Sequence, residues 1–139
     1  MTESFFEKDR SDHTIYHPTS SARGPWDPNS LHGRVISGLI AYESELNHDD
    51  SEELKSFQVS RITVDLFRQP PMLPLKVESE IVRSGRRIRV VDVKINADIP
   101  HRGPTDIARG SVIMLRKGQN APGKIWSPDE WGYVAPSED

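Results

Sequence analysis

Gly24-Pro25-Trp26-Asp27-Pro28-Asn29-Ser30-Leu31-His32-Gly33-Arg34 runs directly into Val35-Ile36-Ser37-Gly38-Leu39-Ile40-Ala41-Tyr42. The first part is turn chemistry, since Pro25, Pro28, Asn29 and Ser30 are turn and N-cap residues. In the second, Leu31, Val35, Ile36, Leu39, Ile40, Glu43 and Leu46 fall at helical spacing with a nearly continuous apolar surface. The pattern predicts a loop feeding a buried helix that starts near Leu31 or His32. Such a start offers unpaired N–H groups and the positive end of the helix dipole to an anion or a polarised carbonyl oxygen. Gly33 would let a ligand come close to that backbone.

Working outward, the period changes after the helix. The run His48-Asp49-Asp50-Ser51-Glu52-Glu53 has no apolar face and reads as a solvated loop. From Phe57 the alternation is strand-like in four segments: 57–67, 75–83, 87–97 and 107–116. Turn residues divide them at 69–74, at Ser84-Gly85-Arg86 and at 98–104. Ile62/Val64/Leu66, Leu75/Val77/Ile81 and Val91/Val93/Ile95 each face one way, so one face of the sheet needs a cover. The helix is the only element apolar enough, so the sheet is expected to curl around it. Upstream, 13–18 holds β-formers for a short strand. Three regions follow: a mobile segment over 1–12, a domain over 13–117 and an extended Pro-, Gly- and Trp-containing tail over 118–139. Trp26 reads as a core or interface residue, and Trp126 and Trp131 as anchors of that tail.

Composition narrows the function classes. The 139 residues can bury one core, and 35% apolar against 28% charged residues is polar for a globular chain, which self-association would help. A net charge of −3 argues against general nucleic-acid binding. There is no cysteine, hence no disulfide or thiolate metal site, and His13, His17, His48 and His101 lack metal-ligand spacing, so no metal is expected. The first residues lack the regions of a signal peptide, and the run 35–42 is too short to span a bilayer. The expectation is a soluble, cytoplasmic protein with neither a membrane nor a nucleic-acid partner.

Arg23-Gly24-Pro25-Trp26-Asp27-Pro28 with His32-Gly33, Val64-Asp65-Leu66-Phe67-Arg68 before a Pro-rich turn, and Ile81-Val82-Arg83-Ser84-Gly85-Arg86-Arg87 together resemble the single-hotdog acyl-CoA thioesterase-like family over about 14–116. The resemblance implies an α+β hotdog fold, a curled antiparallel sheet around one central helix. It also implies a homodimer with acyl-CoA sites at the subunit interface, where the helix N-terminus holds the thioester carbonyl. Coenzyme A would enter as part of the substrate, with no separate cofactor. Many members carry a catalytic acid on the helix eight positions after the glycine, which here is Ala41. Glu43 is rotated from that position by roughly 200°, so it reads as a solvated or interface residue.

Asp27 and His32 are therefore the candidate catalytic residues. Asp27 beside helix N–H groups would activate water next to a polarised thioester, or it is an ordinary turn residue satisfying loop amides. Asp27 to His32 also has the Asp-x-Asn-x-x-His spacing of hotdog enoyl-CoA hydratases, but the single His-Gly abuts the helix and leaves no room for their overhanging segment. His32 otherwise positions the loop or lines the site through a ring N–H. Gly33, Arg34, Arg86 and Arg87 are the candidate substrate-binding residues, the arginines for coenzyme A phosphates, or else as a solvated edge that discourages aggregation. Three functions remain open for a homodimer or higher homo-oligomer: a thioesterase, a non-catalytic acyl-CoA binding or scaffold protein, and a hydratase.

Overall fold

The computed structural model describes residues 4–46, 56–130 and 132. Six strands form one antiparallel sheet: β1 (Phe6–Lys8), β2 (Ile15–Pro18), β3 (Phe57–Leu66), β4 (Leu75–Ser84), β5 (Ile88–Ile99) and β6 (Gly103–Arg116). Their spatial order is β1-β2-β4-β5-β6-β3. The helix α1 (Gly33–Leu46), the one α-helix among the described residues, packs against β3, β4, β5 and β6. This is the curled sheet around one helix that the repeating apolar periods predict. Helix burial follows the spacing, with Val35, Ile36, Leu39 and Ile40 inside against Leu75, Val77, Val91, Val93, Ile95 and Ile107. Gly110 on β6 lets the helix come this close. A Cβ there would sit 2.5 Å from Ile40 Cγ2, an overlap that overpacked cores do not absorb without strain.

Several local readings change. The helix begins at Gly33, one to two residues later than expected, because His32 itself is the capping residue. Within the segment read as mobile, Phe6–Lys8 pairs with β2 as a strand. The last hairpin is tighter than its turn residues suggested. Ile99 and Gly103 still pair, and His101 takes φ 64° in the turn between them. Ile81 and Leu66 match the inward period yet are 41% and 49% exposed. A bulge lies between Ile81 and Arg83. The tail holds no helix or strand through residue 130, and Trp126 is 82% exposed rather than anchored. Trp131 and the acidic run at 48–53 lie outside the described residues.

Candidate functional site at the start of the helix

The loop before α1 is closed on itself by its own polar groups. Arg23 and Leu31 form an antiparallel bridge, and the Gly24 N–H donates to the Ser30 carbonyl at 2.8 Å. Inside this closure Asp27 makes a local turn: its Oδ1 accepts from the Asn29 N–H at 2.8 Å, and its carbonyl accepts from the Ser30 hydroxyl at 3.0 Å. This is the turn role weighed for Asp27 from sequence. It occupies one carboxylate oxygen, and Oδ2 has no hydrogen-bond partner among the described residues. The loop folds back over the helix start, with the Trp26 ring 5.4 Å from the His32 ring. Trp26 is otherwise 81% exposed, so it is not a core residue of the single chain.

Two further bonds dock the loop to the sheet side. Leu31 N–H donates to the Pro70 carbonyl at 2.8 Å and His32 N–H to the Ala22 carbonyl at 3.0 Å. Two donors of the first turn of α1 are met by His32. Arg34 N–H donates to His32 Nδ1 at 3.1 Å and Val35 N–H to the His32 carbonyl at 3.0 Å. The Gly33 N–H has no acceptor among the described residues, at the positive end of the helix. Because Nδ1 of His32 accepts, the proton of the neutral ring resides on Nε2, which is a donor. A side chain at Gly33 would have its Cβ 3.3 Å from Leu66 Cδ1, so the end of β3 walls the site on that side. Leu66 and Phe67, at 49% and 55% exposure, form an apolar rim there.

Asp27, His32, Gly33 and Arg34 are thus gathered at one place. Arg86 and Arg87 are not. Their turn lies beside Arg116, whose N–H donates to the Arg87 carbonyl at 2.9 Å and whose guanidinium reaches the Arg86 carbonyl at 3.4 Å. Arg116 pairs with Phe57 and Ala108 with Leu66, so within one chain the arginine turn and the helix start are at opposite ends of β3. The reason is topological: β3 runs the length of the sheet and the hairpin closes its far end.

Glu43, read as a solvated or interface residue, is not solvated. It is 2% exposed, takes a hydrogen bond from the Tyr16 hydroxyl, and lies 3.7 Å from Lys8 Nζ. The spacing that aligned it with Ile36, Leu39 and Ile40 was the signal of its burial, and a buried carboxylate needs such partners. Phe5, whose ring lies 5.9 Å from the Arg34 guanidinium carbon, is a neighbour of the site that sequence reasoning missed. Among the described residues no cluster of His, Asp or Glu could hold a metal ion, and no helix is long and apolar enough to cross a membrane.

The family model for the acyl-CoA thioesterase N-terminal domain matches residues 22–115. The chain belongs to this family. The matched stretch of the family domain starts at the loop with Asp27 and ends at β6. No curated protein matches the chain in sequence. Solved structures resemble it at low identity. A Streptococcus mutans protein bound to acetyl-CoA is 16% identical with a TM-score of 0.58, over 77% of this chain and 82% of its own. A hypothetical thioesterase from Streptococcus pneumoniae, solved with coenzyme A, is 17% identical with a TM-score of 0.57, over 84% and 87%. YbaW from Escherichia coli is 10% identical with a TM-score of 0.59, over 73% and 79%. These likenesses are of fold, and they place the family domain among the hotdog proteins.

Proposed function

We propose that the protein binds acyl-CoA thioesters at the start of α1 and hydrolyses them. The observation that carries this reading is the open Gly33 N–H beside a loop whose Asp27 keeps one carboxylate oxygen free. The Gly33 N–H holds the thioester oxygen as charge builds on it, aided by the helix dipole. Asp27 Oδ2 takes a proton from water, the hydroxide oxygen bonds to the carbonyl carbon, and the carbon–sulfur bond breaks. The departing thiolate takes up a proton and leaves as coenzyme A, and the acyl group leaves as the acid. His32 holds the helix start with Nδ1 and offers Nε2–H to the ligand. This chemistry uses no cofactor beyond the coenzyme A of the substrate, and it belongs to lipid metabolism in the cytoplasm.

The working unit is a homodimer. The outer edge of β3 is unpaired along its length among the described residues, whereas the other edge strand, β1, has only three residues. Long open edges pair with other chains unless guarded. A two-fold axis through the β3 edge lays the Phe57 end of one copy against the Leu66 end of its partner, which brings the partner's arginine turn toward the helix start. This supports Arg86 and Arg87 as phosphate contacts for the site of the other copy, with Arg34 on the near side. The neighbours solved with coenzyme A and acetyl-CoA support the ligand class.

The deciding experiment follows thiol release over a panel of acyl-CoA chain lengths beside a binding measurement. Release is expected from the wild type, falling about a hundredfold in Asp27→Asn with binding kept, and about tenfold in His32→Ala. Binding without release from any member would leave a non-catalytic binding protein. Consumption of an enoyl-CoA without free thiol would make it a hydratase.

A further inference from the structure

His32 is committed to the fold by its N–H, its carbonyl and its Nδ1. The N–H donates to the Ala22 carbonyl at 3.0 Å, the carbonyl accepts from the Val35 N–H at 3.0 Å, and Nδ1 accepts from the Arg34 N–H at 3.1 Å. The backbone is therefore fixed, and what stays open is which way the ring faces. A half-turn of the imidazole puts a carbon in the place of each nitrogen, so the flipped ring would lose the helix cap and the outward Nε2–H together. The torsion that sets this choice is broad and roughly two-fold, so a single bond to an amide guards it weakly.

A second guard is Trp26, whose ring lies 5.4 Å from the His32 ring at an interplanar angle of 38°, within the range where aromatic rings attract. The loop sets this contact through its backbone. Arg23 bridges Leu31, and Gly24 lies flush on the same stretch, where a Cβ built on it would stand 3.4 Å from the Leu31 carbonyl oxygen. On the other side of Trp26, Asp27 is turned back by its bonds with Asn29 and Ser30, and the Asn29 carbonyl accepts from the Met72 N–H at 2.8 Å. The indole is thus carried on a segment anchored at both ends. Yet Trp26 is 81% exposed, so it fills little of the core. We infer that Trp26 is a positioning residue, which holds the His32 ring in the one orientation that caps α1 through Nδ1 and points Nε2–H away from the Arg34 amide. Its part in the rate rests on the hydrolysis reading above. With Nε2–H held outward, a thioester oxygen that gains charge is met by this donor as well as by the Gly33 N–H. Trp26 takes no proton and acts only through His32.

Nitrogen-15 NMR of the full chain labelled at histidine and at the backbone amides, compared with Trp26→Ala and Trp26→Phe, reads the ring directly. In mildly alkaline buffer, where an imidazole is neutral, wild-type His32 should show one tautomer, with Nδ1 bare and Nε2 protonated. Because Trp26 is exposed, Trp26→Ala should fold as the wild type does. In it the two nitrogen shifts should move toward each other as the ring turns, and the Arg34 amide should exchange about fivefold faster, the worth of one aromatic pair. Trp26→Phe keeps a ring and should restore both. In thiol release from an acyl-CoA, Trp26→Ala should lower kcat about fivefold with KM nearly unchanged, and phenylalanine should again restore it. Unchanged nitrogen shifts with an unchanged Arg34 amide in Trp26→Ala overturn the inference, whatever the rate does. Loss of self-association in that variant with His32 undisturbed would make Trp26 an interface anchor and overturn it as well. A moved signature with the kcat of the wild type would overturn the part in the reaction. If the signature moves as expected but the wild type releases no thiol from any acyl-CoA, the positioning of His32 stands and the hydrolysis reading falls.

Discussion

His32 acts through the nitrogen that faces back along the chain. By accepting from the Arg34 N–H it caps the helix, a role that serine, asparagine or aspartate usually fills. Removing this acceptor in His32→Ala should cost about 1 kcal/mol in urea unfolding, and His32→Asn should recover most of it. Equal stability of wild type and His32→Ala would mean that the ring supplies no cap. At this scale the sequence was partly legible. The His-Gly junction and the turn residues around Asp27 located the loop and the helix start, because caps and turns are written in adjacent residues. Glu43 was visible within the apolar stripe but read as a solvated or interface residue, since its partners Tyr16 and Lys8 come from strands brought near only by the fold. The distance between the arginine turn and the helix start was likewise invisible, because it depends on strand order rather than on any local pattern.

The β1–β2 hairpin is the element that the polar composition of the N-terminal segment concealed. A strand of three residues is too short to display a period, and its sequence reads as solvated. What holds its turn is Asp9, whose Oδ1 accepts from the Ser11 hydroxyl at 2.7 Å and amide at 2.8 Å and from the Asp12 amide at 3.0 Å, while Oδ2 meets His17 Nε2 at 2.9 Å. The Ser11 hydroxyl first, then His17 and the backbone amides, hold the Asp9 carboxyl well below its ordinary value. A carboxyl with a lowered pKa in the folded state stabilises that state fully above the unfolded value of 3.8, and the contribution is lost as pH falls through that value toward the lowered one. Acid titration followed by exchange of the β1 amides should therefore show the hairpin loosening below that value. In Asp9→Asn the same amides should exchange with no such dependence; an unchanged acid profile in this variant would place the acid-sensitive group elsewhere. The longer strands were legible because ten or more residues of alternation outweigh local noise. Only their ends moved, at the bulge beside Ile81 and in the turn at His101.

The whole molecule is a sheet with one short edge at β1 and one long edge at β3, and the exposed Leu66 and Phe67 continue the long one. The proposed dimerisation through this edge should be weakened at least tenfold by Leu66→Lys with Phe67→Lys, measured by sedimentation equilibrium, since charge at a strand edge opposes pairing. A wild-type chain that stays monomeric at micromolar concentration would remove the partner's arginines from the site. The same strand order governs the time course of folding. β4, β5 and β6 form a meander of neighbours in sequence, but β3 precedes them and must wait for β6, its partner from Phe57–Arg116 to Leu66–Ala108. Closing that distance carries a loop entropy that the meander does not, so folding should take milliseconds to seconds. Stopped-flow kinetics should then separate the two regions. Val93→Ala, within the meander, should slow refolding, whereas Val59→Ala, on the late strand, should chiefly speed unfolding. During synthesis on the ribosome, β3 has no strand partner until β6 has emerged, and the chain depends on its last strand to close its first large one.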